Sequence, residues 1–570
     1  MSDWFEKMTY GSAFDTAVDR FAGREALEFK GRRWTFEDLG DEVDQVAKAL
    51  IAIGVLPTDR VALWMLNRPE WIYTQFAVAK VGAVLLPVNT SLRAADLLYV
   101  LNHSGASTLI MVGRSGPVSY TGILEGMCPD LRGADPRNLA LRDLPELKRI
   151  VVIDGAPTLG VLSWADFVAD SVSASAEDLA ARARRVDPDG LASIMYTSGT
   201  TGTPKGVTHS HHALRNVIDE ANRLNVRESD VILTYLPLFH AYGLYDGPLL
   251  SIVTGARQVL IERFEPGEVL TSLERERATL CFGFATHFQD LMDHDSFIST
   301  DRSSLRAGIL AVGPKSMEAI AHRVQHEFGG KIVSGYGMTE IGVGATLGFL
   351  DEDAEHSAAT SGYPLPGYEI RIVNRETGAE CKRGEPGEVQ VRTYQMTSGY
   401  YKDPAGTADA IDGGGWLHTG DMGIRLDDGY LRVLGRYKDM LRVGAENVDP
   451  AEVEAVYASH PDVASAAVVA VPDKRLGEVV CLYVVLNKEK TASEALAAAL
   501  LEFANGRLAA FKRPRYVLFA RSLPFTPTGK LQRHLVRERA LLELGADSTD
   551  DSLTAMGRRS APPQPDDYVG

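Results

Sequence analysis

The sequence predicts an α/β protein: a large N-terminal domain of stacked α/β sheets plus a β-barrel subdomain, then a small C-terminal α+β domain. Three observations carry this. At 570 residues the chain is too long for one simple core, so several subdomains are required. Between residues 60 and 112, short β-branched runs alternate with helical stretches, as in a sheet covered by helices. From about residue 362 this rhythm gives way to short strands joined by Gly/Asp turns, and after Gly435 to a separate strand–helix pattern.

Strands are expected first at 61–65, 84–88 and 108–112, with helices at 70–81 and 94–102. Residues 113–149 break the pattern with Gly, Pro and mixed charge, an elaborated connection that ends in a strand at 149–153. The apolar run 191–195 reads as a strand, and 209–224 as a helix. Strands at 231–236, 259–261, 279–284, 309–312 and 332–334 continue the alternation. The barrel strands are placed at 368–373, 387–392 and 430–434. Beyond them come helices at 450–459 and 494–508 and strands at 463–471, 478–486 and 515–520. The large domain is thus 1–434, with the barrel at about 362–434, and the small domain 441–544. Residues 545–570 are polar and acidic with Pro562-Pro563, and are expected to be disordered.

Composition excludes several classes. Lys and Arg number 59 against 76 Asp and Glu, a formal net charge of −17 that opposes non-specific nucleic-acid binding. The four cysteines lie far apart without metal spacing, as in a reduced intracellular protein. No basic, apolar leader opens the chain and no run reaches the length of a membrane span, so a cytoplasmic protein is expected.

Between the strand at 191–195 and the helix at 209–224 lies Tyr196-Thr-Ser-Gly-Thr-Thr-Gly-Thr-Pro-Lys-Gly206. Its glycines free the backbone to turn and expose N–H groups. Thr197, Ser198, Thr200 and Thr201 add hydroxyls, and Lys205 adds one mobile positive charge. Read as strand–loop–helix, this is a cradle for a polyphosphate. It is not a Walker A loop, because Pro204 precedes Lys205 and Gly206 follows it.

Four further motifs follow in order: Tyr336-Gly-Met-Thr-Glu340, Thr419-Gly-Asp421, Gly435-Arg-Tyr-Lys-Asp439 and Pro527-Thr-Gly-Lys530. Together the five resemble the adenylate-forming (AMP-binding) superfamily, in its acyl-CoA synthetase or fatty-acyl-CoA ligase branch, over about residues 10–540. The resemblance implies an ATP-dependent, AMP-forming acyl-CoA ligase for a hydrophobic monocarboxylic acid, medium- or long-chain aliphatic, alicyclic or aryl. It implies ATP, Mg²⁺ and CoA as its small-molecule partners, no nucleic acid and no transmembrane segment; a homodimer is left open.

Residue by residue, the resemblance assigns ATP or AMP binding to Thr197, Ser198, Gly199, Thr200, Thr201, Gly202, Lys205, Gly335, Tyr336, Gly337, Asp421 and Arg436. Thr201 and Glu340 become the metal ligands, as a carboxylate suits Mg²⁺ beside substrate phosphates. Thr339, Glu340, His240 and Lys530 become the catalytic set. Tyr336 would offer its face to adenine, with Gly335 and Gly337 permitting close approach. Asp421 and Arg436 would hold the ribose; outside the motif, Asp421 after Gly420 is a turn aspartate.

The acyl pocket falls to Phe239, His240, Tyr242, Phe284, Val312 and Gly313, with Phe282 and His287 as further apolar lining. Amino-acid-activating relatives carry an aspartate near the His240 position, so the partner for a substrate amine is missing here. CoA would pass Arg442, Val443, Gly444 and Ala445, where many relatives have a second glycine in place of Ala445. Residues 435–440 would be a hinge that turns at Lys438 and Asp439. Two other outcomes use the same adenylation parts: a stand-alone adenylation enzyme that loads a carrier protein, and a luciferase-like oxygenase.

Overall fold

The computed structural model describes residues 7–154, 160–197, 204–311, 318–444, 446–488, 490–525 and 531–545. Two stacked sheets form the body. The seven-stranded sheet runs Lys205–Ser210, Leu191–Thr197, Val84–Pro87, Arg60–Trp64, Ala106–Met111, Arg149–Val152, Leu162–Ser163. All its pairs are parallel except the first, where Leu191–Thr197 turns back on Lys205–Ser210. The nine-stranded sheet is parallel from Glu25–Phe29 through Arg257–Leu260, Val231–Thr234, Leu280–Phe284 and Ala307–Ala311 to Lys331–Tyr336. Short antiparallel strands close both of its edges.

Parallel strands buried on both faces need apolar side chains throughout, and Leu85, Val61, Leu63, Leu109, Ile110 and Val151 are buried. Helix Pro69–Lys80 is buried along nearly its whole length, which explains why its pattern is apolar all round. Its Lys80 stays charged by pairing with Asp15 at 2.6 Å and with Asp44. Helix Phe36–Ala52 opens on a capping box made by Thr35 and Asp38. The connection after residue 113 contains two short strands and helix Tyr120–Met127 before rejoining the sheet at Arg149.

Strands Tyr368–Val373, Gly387–Thr393, Leu417–Arg425 and Leu431–Arg436 form an antiparallel meander. Among the described residues no ladder joins its first and last strands, so the expected barrel is an open four-stranded sheet. The apolar core of these three sheets is continuous and ends at Val433. Beyond it lie two separate apolar clusters, one beginning at Leu441 and the other at Ala467, on the two faces of a five-stranded sheet built around Gly477–Leu486. The described chain ends at Gly545, so the tail expected at 545–570 lies almost wholly outside it.

Candidate active site

The polyphosphate motif is not strand–loop–helix. Lys205–Ser210 is a strand that pairs antiparallel with Leu191–Thr197, with Thr197 opposite Lys205, and the helix begins only at Ala213. The helix expected from residue 209 is thus displaced by a strand, because Val207 and Thr208 pair on both sides. Thr208 Oγ1 donates to the Gly399 carbonyl at 2.7 Å, and Val207 bridges to Tyr400. No helix N-terminus follows the loop directly. Ser198, Gly199, Thr200, Thr201 and Gly202 lie outside the described residues; Thr197 and Lys205 hold the two ends of their loop.

Tyr400 was not singled out by sequence, yet it links two predicted residues. Lys205 Nζ sits 4.5 Å from the centre of its ring, and its hydroxyl donates to Glu340 Oε1 at 3.1 Å. Glu340 is buried in the 3-10 turn Thr339–Ile341, and its carbonyl accepts from Thr397 N at 2.7 Å. Among the described residues Glu340 makes no ion pair, so its carboxylate keeps lone pairs free for a hard cation. Thr339, beside it, is half-buried.

The strand that leads into this turn, Lys331–Tyr336, carries a second cluster at its end. Tyr336 OH donates to Asp421 Oδ2 at 2.7 Å, and Arg436 Nε lies 2.9 Å from Asp421 Oδ1. Asp421 and Arg436 face each other across adjacent strands, and Gly420 takes a left-handed φ of 70° beside them. Burial works to lower the Arg436 pKa, but the charge of Asp421 and the neighbours Tyr336, Asp439 and Glu340 raise it. The glycine at 337 has a reason other than room for a nucleotide. A Cβ there would overlap the Val343 carbonyl oxygen, so the turn itself demands glycine.

The register of the nine-stranded sheet joins acyl and nucleotide residues. Phe284 pairs with Ala311 and Ala311 with Gly335, so the three lie side by side at the C-terminal ends of parallel strands. Tyr242 and Phe284 meet edge to face with centroids 5.3 Å apart, and Tyr242 OH donates to the Ile309 carbonyl at 3.0 Å. His287 follows on helix Ala285–Met292, its ring 5.7 Å from that of Phe284, and burial lowers its pKa to about 4. Phe239 and His240 stack tilted at 4.8 Å, where His240 precedes helix Ala241–Leu244. Phe282 is fully packed in the core. Val312 and Gly313 lie outside the described residues.

The expected CoA segment is a two-residue hairpin. Val443 pairs with Glu446, and Gly444 adopts φ 63° between them, which is the conformation such a turn requires. Arg442 is exposed and Val443 buried; Ala445 lies outside the described residues. Lys438 and Asp439 form a 3-10 turn, Tyr437–Asp439, with Asp439 Oδ2 3.9 Å from Arg533 Nε. Lys530 also lies outside the described residues, but Phe525 and Leu531 pair at the base of its loop.

Sequence reasoning also missed a buried acid pair. Glu220 and Asp246 are both 3% exposed, one on helix Ala213–Arg223 and the other on the wide turn Tyr245–Leu249. Burial, reinforced by the charge of Asp246, raises the Glu220 pKa, and burial raises that of Asp246. Carboxyls raised in the fold hold protons that the unfolded chain has released above pH ~4. Their stability contribution therefore falls as pH rises above about 4. Glu220→Gln supplies a permanent neutral donor. It is expected to stabilise the protein at pH 8, and by less at pH 5. Urea midpoints at the two pH values check this; an equal change at both contradicts it.

The sequence profile of the AMP-binding enzyme family matches residues 14–401, and that of the AMP-binding enzyme C-terminal domain matches 452–530. The chain belongs to the AMP-binding enzymes. YngI of Bacillus subtilis, assigned by name to the acyl-CoA synthetases, is 34% identical over 536 residues, 94% of this chain and 97% of YngI. The mitochondrial medium-chain acyl-CoA ligase ACSF2 of Bos taurus is 34% identical over 551 residues, 93% of this chain and 87% of the relative. A solved structure of the anthranilate CoA ligase AuaEII with anthranoyl-AMP superposes with a TM-score of 0.82 at 28% identity, over 96% of this chain and all of that one. These matches bear out the resemblance, the α/β fold and the enzyme class: an AMP-binding acid–thiol ligase of the acyl-CoA synthetase family. No described helix is long and apolar enough to cross a membrane.

Proposed function

We propose that this AMP-binding enzyme activates a hydrophobic monocarboxylic acid with ATP and passes the acyl group to CoA. The observation that carries the reading is the register Phe284–Ala311–Gly335, which sets the Tyr242–Phe284–His287 aromatic cluster against the Tyr336 turn. An acid whose tail lies on the aromatics would present its carboxylate to the nucleotide held at Tyr336, Asp421 and Arg436. Attack on the α-phosphate then needs positioning and positive charge rather than a protein nucleophile. Lys205 meets the departing pyrophosphate, Thr339 bonds the α-phosphate, and Lys530 bridges carboxylate and phosphate. Glu340, with Thr201, would hold Mg²⁺, which supplies charge neutralisation on the phosphates. A turn at Lys438 and Asp439 would then bring the Gly444 hairpin to the site for CoA.

Substrate polarity follows from the lining. Phe239, Tyr242 and Phe284 carry no charge, and His287 is kept neutral by burial. A second carboxylate there would lack a partner, at a cost on the order of several kcal/mol, and the aromatic cluster itself offers no carboxylate to an ammonium. Medium-chain aliphatic, alicyclic and aryl acids are therefore the expected substrates. A pyrophosphate-release screen with and without CoA, across octanoate, cyclohexanecarboxylate, benzoate, malonate and amino acids, tests this. The expected outcome is at least a tenfold higher kcat/KM for one of the first three, with CoA required for turnover. A higher kcat/KM for an amino acid or for malonate overturns it.

A further inference from the structure

Away from the adenylation residues, one helical face gathers two imidazoles and a carboxylate. Helix Glu318–Arg323 runs directly into the wide turn Val324–Phe328. His322 and His326 are four residues apart on it and so share a face. Glu355, on helix Ala354–Ala359, reaches both: its Oε2 lies 3.2 Å from His322 Nδ1, and its Oε1 3.3 Å from His326 Nε2. The three ligand atoms fall within 4.8 Å of one another. Among the described residues no lysine or arginine pairs with Glu355. The nearby Arg323 is engaged by Asp293 at 3.0 Å and Glu327 at 3.2 Å.

We propose that His322, His326 and Glu355 bind one divalent transition-metal ion of the zinc type. Zinc takes nitrogen and carboxylate ligands at about 2.0–2.2 Å in a tetrahedron, which sets its ligand atoms roughly 3.3–3.5 Å apart. Each imidazole already lies at that spacing from one oxygen of the Glu355 carboxylate, His322 Nδ1 from Oε2 and His326 Nε2 from Oε1. A small swing of these surface side chains, whose ligand atoms are within 4.8 Å of one another, brings both imidazoles onto one ion, and water completes the fourth position. Imidazole donors suit Zn²⁺, Ni²⁺ or Cu²⁺ and do not suit Mg²⁺, so the ion used with ATP does not compete.

Such an ion joins two elements that flank the strand ending in Tyr336. Gln325 donates to the Ile332 carbonyl and, at 3.2 Å, to Ser357 Oγ. Ser334 Oγ donates to the Ser357 carbonyl at 2.6 Å. Binding therefore staples the two helices across strand Lys331–Tyr336 and raises stability by mass action without entering the site.

The test uses the full chain stripped with chelator and titrated with Zn²⁺ in millimolar Mg²⁺ against a chromophoric competitor. One Zn²⁺ per chain with Kd of about 10 µM or tighter is expected, with a rise in Tm. His322→Ala, His326→Ala and Glu355→Gln are each expected to weaken binding at least tenfold and to abolish the Tm rise, while circular dichroism shows the fold intact. Co²⁺ in place of Zn²⁺ should give visible d–d bands that vanish in the His322→Ala/His326→Ala double variant. Absence of binding, displacement by Mg²⁺, or equal Zn²⁺ affinity in the wild type and the double variant overturns the proposal.

Discussion

Lys530→Ala is expected to slow acyl-adenylate formation by about 10²–10³-fold, the cost of removing one preorganised donor from a charge-building transition state. Thioester formation from supplied acyl-adenylate should stay close to the wild-type rate. The reason lies in how the loop is attached. Phe525 and Leu531 pair across its base, and three residues from Lys530 the Arg533 guanidinium binds Glu454, donates to the Val468 carbonyl at 2.9 Å, and lies 3.9 Å from Asp439. The chain just beyond the loop is thereby tied to the Tyr437–Asp439 turn, so a rotation there would carry Lys530 with it. An ammonium on a flexible stem can bridge a carboxylate and a phosphate in one posture and leave in the next. Lys438→Pro, which stiffens the exposed position of that turn, is expected to do the reverse: thioester formation slows and adenylation is spared. Single-turnover assays of the two half-reactions measure both variants. Equal loss of both steps in Lys530→Ala, with the fold intact, ends the two-posture account.

The parts of the site that could be read in the sequence are those held by neighbours in the chain. Glycine and turn residues announce the Tyr336–Glu340 turn, and the alternation of strands and helices announces the sheets around it. Strand Leu417–Arg425 was not legible, because His418, Thr419 and Gly420 interrupt its alternation and a register shift follows at Met422–Gly423. The end of strand Lys205–Ser210 falls where a helix is expected from residue 209, because the strand's second partner, the segment at Gly399–Tyr400, lies about 190 residues on. The same distance hides Tyr400, whose role exists only once Lys205 and Glu340 converge on it. Gly337 is legible as a glycine, but that a Cβ there would overlap the chain's own Val343 carbonyl appears only in the folded turn. The line-up of Phe284, Ala311 and Gly335 depends on sheet register, which no local pattern specifies when strands are apolar on both faces.

Asp421→Asn is expected to raise the KM for ATP by about 10–50-fold while leaving the KM for the acid within about twofold. Asp421 is 4% exposed and accepts from two groups at once, the Tyr336 hydroxyl at 2.7 Å and Arg436 Nε at 2.9 Å. Asparagine keeps the shape but replaces one acceptor oxygen with a donor. That NH₂ must then face either the hydroxyl, which can turn to accept it, or the guanidinium, which cannot. Hydrogen bonds to a charged partner contribute about 1.5–3 kcal/mol when buried. Arg436 is 39% exposed, so solvent recovers part of this and the lower half of the range applies. The loss falls on the nucleotide because Asp421, Arg436 and Tyr336 would surround the ribose and adenine, whereas the acyl side rests on Tyr242 and Phe284 from other strands. A merely structural aspartate would behave differently: Tm would drop and both KM values would move together or not at all. Initial-rate kinetics varying ATP and acid separately, with Tm measured alongside, distinguish the two. A KM for ATP within twofold of wild type removes Asp421 from the nucleotide site.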